Sequence, residues 1–300
     1  QEGSMEGLSG TYSKVFREIK ARKQRTTPQE AIDIRAALDR ERHFRNCLRC
    51  RRERPLYPCS DSPTYQYEMA RIRAGLAPLE QTPALRLLEF LPRLETEDPS
   101  RSSIAALEGA RGFAVKPQGW LVLVGQVGTG KTHLAQGIAE TRIAVAFDGH
   151  EAACGYCSGR DKTTFPCRGF VTGVRYSRVA ALLDEWRGLL RDAPREGDDP
   201  FWLDFNSWCA SRLVVLDDLG AERPTAWARE RLTMLLDHRY GRRLPTVVTT
   251  NLSREQLSNL WDTDRQDTYG RIADRLYDTG SGLCVIRVLD YASYRTGRRW

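Results

Sequence analysis

A glycine-rich loop that ends in a lysine and a threonine is the part of the sequence best suited to chemistry. Its residues are Gly125, Gln126, Val127, Gly128, Thr129, Gly130, Lys131 and Thr132, and His133 follows. Glycines let backbone N–H groups turn toward phosphate oxygens, and a helix that begins at the loop adds its positive end. Lys131 is placed to reach the β- and γ-phosphates, and the Thr132 hydroxyl is a ligand for Mg²⁺. The spacing therefore predicts an ATP and Mg²⁺ site formed by these residues.

Two adjacent aspartates, Asp217 and Asp218, follow the apolar run 213–216. Neighbouring carboxylates at the end of a strand repel each other unless a cation neutralises them, so they favour a metal site. We expect this strand to neighbour the one before the loop, with Asp217 holding Mg²⁺ through water and Asp218 polarising the attacking water. The alternative, in which Asp218 only caps a turn, stays open. Asn251 follows the β-branched run Thr246–Thr250, and we expect its side chain to point to the γ-phosphate.

Two groups of cysteines share a spacing that suits a tetrahedral zinc ion. The first group contains His43, Cys47, Cys50 and Cys59, and the second contains His150, Cys154, Cys157 and Cys167. In each group two residues separate the first two cysteines, a third cysteine follows, and the histidine is a candidate fourth ligand. The second group lies in an insertion over residues 147–170, whose glycine-rich composition offers little else to form a core. Buried or free thiols are the alternative for both groups.

The elements that must position these residues are strands and helices that alternate from residue 120 to residue 289. The strands are apolar on both faces, which predicts an α/β fold with a parallel sheet flanked by helices. Residues 1–4 are typical of a cloning scar before Met5. Residues 5–62 are expected to form a basic, helical N-terminal region that binds a partner and holds the first cysteine group. Residues 63–115 are expected to form a helical linker, and residues 116–300 the core domain with its insertion.

The charge of the chain is concentrated near its beginning. The net charge is +7, and residues 1–60 carry 14 Lys and Arg against 8 Asp and Glu. Such an excess, in a chain whose basic residues are nearly all arginine, favours contact with nucleic acid, although a solvated surface is the alternative. Neither a signal peptide nor an apolar run long enough to span a membrane is present, so a cytoplasmic protein without membrane contact is expected.

Several segments together resemble the AAA+ ATPases of the DnaC/IstB family, which comprises helicase loaders and helpers of insertion-sequence transposases. The matching segments are GTGKTHLA at 128–135, LDDLGAE at 216–222, PTVVTTNLS at 245–253, GRIADRL at 270–276 and Ser293-Tyr294-Arg295. The resemblance covers about residues 116–296. It implies an AAA+ P-loop NTPase core with ATP hydrolysis, and an arginine finger, Arg275, that acts on ATP bound by a neighbouring subunit. Arg271, one helical turn away, is the competing candidate.

The chain after the last expected strand bears on assembly. Eleven residues follow Leu289, too few for a C-terminal helical lid over the nucleotide. We therefore expect a second subunit to complete the site, in homo-oligomers that form with ATP.

The function that these features favour is a DNA-dependent ATPase that loads a replicative helicase, with single-stranded DNA as the favoured partner. The zinc-like N-terminal group is more familiar in such loaders than in the alternative, a helper of a transposase that remodels duplex DNA. A small-molecule kinase and a DNA-binding module without ATPase activity fit less well, because Asp217, Asp218 and Asn251 are all present. Four aromatic residues recur before the two aspartates, and they either stack on bases or belong to the core. They are Phe201, Trp202, Phe205 and Trp208.

Overall fold

The structure is a computed structural model that describes residues 63–76, 86–153, 172–191, 199–261 and 270–294. For residues 63–66, 147–153, 261, 270 and 271 it describes the backbone only. The chain divides into two compact units, and the described residues from Tyr67 onward all belong to the larger one. That unit consists of Tyr67–Gly159 and Pro166–Trp300.

Within the described ranges, helices and strands alternate through most of the chain. The five strands are β1 (Trp120–Gly125), β2 (Val174–Arg178), β3 (Leu213–Leu219), β4 (Thr246–Thr250) and β5 (Cys284–Leu289). The helices before β2 are α1 (Pro63–Arg73), α2 (Ser102–Val115) and α3 (Lys131–Ala153). Those after it are α4 (Val179–Arg191), α5 (Pro200–Ala210), α6 (Ala226–Gly241), α7 (Arg254–Trp261) and α8 (Gly270–Leu276).

The five strands form one parallel sheet in the order β2-β3-β4-β1-β5. Strand β1 pairs with β4 on one side, where Leu121 lies opposite Val247, and with β5 on the other, where Leu121 lies opposite Val285. The side chains of β1 and β4 are almost all buried, as a central strand covered on both faces requires. The prediction of an α/β fold with a parallel sheet between helices is therefore confirmed.

The two faces of the sheet carry separate apolar cores. One core joins Trp120 and Val122 to helices α4 to α8, and Trp186, Phe201 and Leu276 are among its fully buried members. The other core joins Leu121 and Leu123 to α1, α2, α3 and the turn around residues 87–90. Residues 63–115, which the sequence led us to assign to a linker, thus supply much of the cover on one face of the sheet.

Helix α3 extends into the expected insertion. It begins at Lys131, as expected, and runs to Ala153, so residues 147–153 of the expected insertion continue the helix. The run of alanines and other helix formers after Ile143 contains no proline, and a single Gly149 costs a helix only about 1 kcal/mol. The insertion therefore begins as an extension of the helix that follows the glycine-rich loop.

Candidate nucleotide and magnesium site

The predicted site residues converge at the carboxyl ends of three strands. The glycine-rich loop follows β1, the two aspartates lie at the end of β3, and Asn251 follows β4. Our expectation that β3 neighbours β1 is wrong, because β4 lies between them. The threonines at the end of β4, Thr249 and Thr250, consequently lie between the loop and the aspartates. Ligands of open parallel sheets bind beyond this edge, so the convergence marks the candidate site.

The glycine-rich loop has the backbone shape that its glycines allow. Gly128 and Gly130 have φ angles of 82° and 90°, in the left-handed region that disfavours side chains. At Gly130 a Cβ atom would lie 2.6 Å from Cε2 of Phe90, so a larger residue does not fit. Helix α3 starts directly after the loop, and its first N–H groups have no partner within the helix. An anion beyond the loop would meet these N–H groups and the positive helix end.

Lys131 is a buried cation beside two acids. Its side chain is buried, and Nζ donates a hydrogen bond of 2.7 Å to the carbonyl of Gln126. Burial lowers its pKa to about 8, and the negative charges of Asp218 and Asp217 act in the opposite direction. Among the described residues no carboxylate forms a salt bridge with this ammonium. A group with three N–H donors and one carbonyl partner has donors left for phosphate oxygens.

Asp217 is fully buried and accepts three hydrogen bonds from side chains. Oδ1 accepts from Thr132 Oγ1 at 3.1 Å and from Thr249 Oγ1 at 2.6 Å. Oδ2 accepts from the hydroxyl of Tyr176 at 2.9 Å, and that hydroxyl accepts from Gln136 Nε2 at 3.2 Å. Burial, followed by the charge of Asp217, raises the pKa of Tyr176, so the phenol stays protonated as a donor. The carboxylate is therefore held in one orientation beside the Thr132 hydroxyl.

Asp218 adopts a backbone conformation that is rare outside glycine. Its φ angle is 60°, which costs about 1–2 kcal/mol for a residue with a side chain. The pairing of β3 with β4 shifts register between Leu216 and Leu219, so the two aspartates lie in a bulge. The N–H of Asp218 donates to Thr249 Oγ1 at 2.8 Å, and its Oδ1 accepts from Asn251 Nδ2 at 3.0 Å. The strained backbone thereby directs Asp218 to Asn251 while Asp217 faces Thr132.

The polar groups of the site fit Mg²⁺ and a nucleoside triphosphate. Mg²⁺ prefers hard oxygen ligands, and the Thr132 hydroxyl and the Asp217 carboxylate lie within 3.1 Å of each other. A buried lysine and a row of N–H groups at a helix start suit the phosphates. Asn251, which follows β4, donates a hydrogen bond of 3.0 Å to the carboxylate of Asp218 on β3. This is an α/β fold built around a P-loop.

Other predicted site residues lie elsewhere or make different contacts. The ring of His133 contacts the carbonyl of Arg86 at 2.9 Å and packs edge-on against Phe90, so only its backbone belongs to the loop. Arg275, on α8, forms a salt bridge with Asp237 of α6 in the same chain. Arg271 belongs to the same helix, but its side chain is outside the described residues.

The side chains of all the predicted zinc ligands lie outside the part of the chain that the structure describes. His43, Cys47, Cys50, Cys59, Cys154, Cys157 and Cys167 lie outside the described residues, and of His150 only the backbone is described. Within the described part of the chain, no group of three or more His, Cys, Asp and Glu side chains is arranged to hold a metal ion. In the same residues, no helix has the length and apolar character needed to cross a membrane.

The sequence did not assign a role to three residues that shape the site. Tyr176, on β2, donates to Asp217, and Gln136, on α3, donates to the hydroxyl of Tyr176. Tyr291 donates to the carbonyl of Thr129. A fourth residue, Thr249, binds Asp217 and lies within the segment PTVVTTNLS, although the sequence assigned it no role of its own. The available signal for Tyr176 was its place in a short strand before β3. The pairing of β2 with β3, which brings it beside Asp217, is visible only in the structure.

Comparison with known proteins yields structural likenesses only. No family model and no curated protein matches the chain. The solved structures that resemble it include the DnaC helicase loader, at 22% identity and TM-score 0.44, covering 68% of this chain and 96% of that one. They also include DnaI, at 22% identity and TM-score 0.44, covering 62% of this chain and 84% of that one.

A third likeness is to the AMPPCP-bound DnaA of Aquifex aeolicus, at 16% identity and TM-score 0.45, covering 69% of this chain and 50% of that one. All three likenesses lie below 25% identity and below a TM-score of 0.5. At such identities and TM-scores they assign no activity or partner to this chain.

Proposed function

We propose that the chain is an AAA+ ATPase that assembles with ATP on DNA and loads a replicative helicase. The observation that carries the proposal is the meeting of Lys131, Thr132 and Asp217 with the bonded pair of Asp218 and Asn251. These residues come from three strand ends, and together they provide every polar group that hydrolysis of a phosphoanhydride needs on one subunit.

Each residue of the site has a distinct task in hydrolysis. Mg²⁺, when bound with ATP, neutralises charge on the phosphates. Lys131 donates to the phosphate oxygens, while Thr132 and Asp217 are the residues that would hold the ion. Asp218 accepts a hydrogen bond from, and then a proton of, the attacking water. Asn251 keeps that carboxylate oriented through the bond from its Nδ2.

Replacement of Asp218 by asparagine tests this assignment without disturbing the backbone. Asparagine tolerates the left-handed conformation as well as aspartate does, whereas alanine would add strain. We expect Asp218→Asn to bind ATP within about twofold of wild type and to lose at least about 100-fold in kcat. Single-turnover hydrolysis and binding of fluorescent ATP measure the two effects. Wild-type hydrolysis by this variant would exclude Asp218 as the base.

The proposed finger, Arg275, must act on the ATP of a neighbouring subunit. Its guanidinium pairs with Asp237 and lies 5.4 Å from the ring centre of Tyr240, on the helix that follows residues 262–269. The P-loop itself contributes one cation to the site, Lys131. A positive group from another subunit would complete the site, which supports ATP-dependent homo-oligomers. Arg271 stays the competing candidate.

Contact with single-stranded DNA is supported at one of the four aromatic residues before β3. Phe201, Phe205 and Trp208 belong to the core, but Trp202 is 41% exposed. The Arg231 guanidinium lies 5.6 Å from the ring centre of Trp202, and an exposed aromatic ring beside an arginine suits stacking on a base. We therefore propose Trp202 as a DNA contact.

The matched control for Trp202 is its neighbour Leu203, which is also an exposed apolar residue. Trp202→Ala is expected to weaken binding of single-stranded DNA at least about fivefold, because a stacked base contributes on the order of 1–3 kcal/mol. Leu203→Ala should bind within about twofold of wild type. Fluorescence anisotropy with a labelled oligonucleotide measures both. Equal losses in the two variants would argue against stacking.

The most specific part of the proposal is the protein on which the ATPase acts, a replicative helicase. The N-terminal cysteine group (His43, Cys47, Cys50 and Cys59) supports a loader, with Zn²⁺ ordering the region that contacts the helicase. We propose a second Zn²⁺ at His150, Cys154, Cys157 and Cys167. Metal analysis of the purified protein should find zinc, and replacement of the cysteine pair in one group by serine should remove about half of it. A chain purified without chelators and free of zinc would end both zinc proposals.

The alternative client is a transposase, and the DNA that stimulates hydrolysis separates the two. A loader is expected to respond to single-stranded DNA, whereas a helper that remodels transposition targets is expected to respond to duplex DNA. Stimulation by neither form would contradict both. The ATPase rate at saturating ATP, with each DNA added in turn, makes the comparison.

A further inference from the structure

The chain that leaves β5 runs along the outer side of the P-loop. Strands β1 and β5 are parallel neighbours, and their register places Gly125 opposite Leu289. The loop that leaves β1 and the segment 290–294 that leaves β5 therefore start side by side. Residues 290–294 have no assigned part in the site proposed above.

Two donors of this segment bind carbonyl groups of the loop. The hydroxyl of Tyr291 donates to the carbonyl oxygen of Thr129 at 2.5 Å, and the tyrosine side chain is buried. The backbone N–H of Tyr294 donates to the carbonyl oxygen of Gly128 at 2.8 Å. Consecutive peptide groups of the loop are thus both held from the same segment.

The direction of these carbonyls decides where the loop N–H groups point. In a planar trans peptide the C=O and the N–H of the next residue point in opposite directions. The carbonyls of Gly128 and Thr129 share their peptides with the N–H groups of Thr129 and Gly130. Because both carbonyls point to the β5 side, both N–H groups point away from it, toward the side where a P-loop holds phosphates.

These two N–H groups have little else to bind. The Thr129 N–H reaches only the carbonyl of Gln126, at 3.4 Å, and within the described residues the Gly130 N–H has no backbone partner. Two adjacent N–H groups turned the same way form an anion-binding concavity. The hydrogen bonds from the segment therefore hold a donor pair ready for an anion.

The segment is itself held firmly in place. The hydroxyl of Tyr294 donates to the carbonyl of Leu91 at 2.6 Å, and the Arg93 guanidinium lies 3.9 Å from its ring centre. The N–H of Asp290 donates to Ser102 Oγ at 3.1 Å. The segment thus has partners on the chain before α2 and at the first residue of α2, so it is anchored independently of the loop.

We propose that Tyr291 is a positioning residue for phosphate binding, whose hydroxyl fixes the Thr129–Gly130 peptide so that its N–H faces the nucleotide phosphates. The inference rests on the proposed ATP site and adds a residue outside its motifs. Tyr291 touches no phosphate itself and acts through the loop backbone.

Replacement of Tyr291 by phenylalanine removes the hydroxyl and keeps the ring. The matched control is Tyr67→Phe, which removes the hydrogen bond of a half-buried hydroxyl to Glu140 of α3. Glu140 is nine residues beyond Lys131, roughly 14 Å along the helix, so this bond does not shape the loop. Each variant removes the hydroxyl of one tyrosine with the hydrogen bonds that it donates, and their melting temperatures without nucleotide are expected to fall by similar amounts.

The probes are ADP and inorganic pyrophosphate, in competition with a fluorescent ADP. Pyrophosphate carries phosphates without a base or sugar, so its affinity reports on the loop. We expect Tyr291→Phe to weaken both probes about fivefold to tenfold, the size of one oriented hydrogen bond. Tyr67→Phe should bind both within about twofold of wild type.

The outcomes separate this inference from the nucleotide site on which it rests. Wild-type affinity of Tyr291→Phe for both probes would overturn the role of Tyr291 and leave the ATP site standing. Equal losses in the two variants would also overturn it, because the loss would then follow general stability. If the wild-type chain bound neither probe, the proposed ATP site would be wrong and the inference would fall with it.

Discussion

Lys131 is an ammonium group that the folded chain buries before any phosphate is present. Burial lowers its pKa from 10.5 to about 8, which corresponds to a cost of about 3 kcal/mol at neutral pH. We expect Lys131→Met to raise the free energy of unfolding without nucleotide by about 1–3 kcal/mol at pH 7 while it abolishes ATP binding. Urea denaturation measures the first effect. A control on an exposed lysine, Lys116→Met, should stay within about 0.5 kcal/mol of wild type.

The pH dependence of this effect has a definite sign. Between pH 8 and 10.5 the unfolded lysine holds a proton that the folded one has lost, so the wild-type chain gains stability as pH rises through that window. Lys131→Met lacks this gain, and its advantage over wild type should shrink toward pH 10.5. A lower stability of the variant at pH 7 would contradict the burial cost of the lysine.

Tyr176 acts on the site through Asp217, whose Oδ2 it binds at 2.9 Å. Loss of a hydrogen bond that orients a metal-binding carboxylate commonly weakens metal binding by about 10–100-fold. We therefore expect Tyr176→Phe to need about tenfold more Mg²⁺ for half-maximal ATP hydrolysis, with kcat at saturating Mg²⁺ within about threefold of wild type. A magnesium titration of the ATPase rate checks this. An unchanged half-maximal concentration would mean that Thr132 and Thr249 orient Asp217 without Tyr176.

At the residue scale, the sequence predicted the site residues that belong to short motifs. Lys131 and Thr132 end the loop after β1, Asp217 lies near the end of β3, and Asn251 follows β4, so these residues meet at one edge of the sheet. Tyr176 has no such mark, since its contact with Asp217 depends on the pairing of β2 with β3. The strained φ of Asp218 likewise depends on a bulge between β3 and β4, which a single strand pattern does not reveal.

Helix α1 is fixed to the core helix α3 by a buried ion pair. Arg71 Nη2 and Glu140 Oε1 lie 2.6 Å apart, and both side chains are almost fully buried. Removal of one partner leaves a buried charge without compensation, so Arg71→Met is expected to cost about 3 kcal/mol of unfolding free energy. The double variant Arg71→Met with Glu140→Met should recover most of this loss. A single-variant loss below about 1 kcal/mol, measured by urea denaturation, would mean that α1 contributes little to the domain.

The sequence predicted the elements after residue 116 better than those before it. Strand β4 has the bounds of the β-branched run Thr246–Thr250, and the alternation of strands and helices from residue 120 to residue 289 appears as expected. Helix α1 is polar over most of its length, and it contacts the core through Ala70, Tyr67 and the ion pair of Arg71 with Glu140. Its position on the sheet depends on contacts between distant parts of the chain. The sequence therefore did not reveal that residues in 63–115 belong to the core.

At the scale of the whole molecule, the proposed ATP site is divided between subunits. In the proposed oligomer, one subunit supplies the P-loop, Asp217, Asp218 and Asn251, and we propose that its neighbour supplies Arg275. In the single chain Arg275 pairs with Asp237, so assembly must exchange this carboxylate for a phosphate of the neighbouring ATP. Two defective subunits with complementary losses should therefore restore activity when they are mixed.

The measurement that tests this division most directly is the ATPase rate of such a mixture. Lys131→Ala subunits lose their own ATP site and keep Arg275, whereas Arg275→Ala subunits keep the site and lose the finger. Each variant alone is expected to fall at least about 1,000-fold in kcat, the size of an arginine-finger effect. With ATP and single-stranded DNA, an equal mixture is expected to recover roughly a quarter of the wild-type rate, because about one interface in four joins an intact site to an intact finger. A mixture as inactive as its components, or an Arg275→Ala chain as active as wild type, would contradict the shared site.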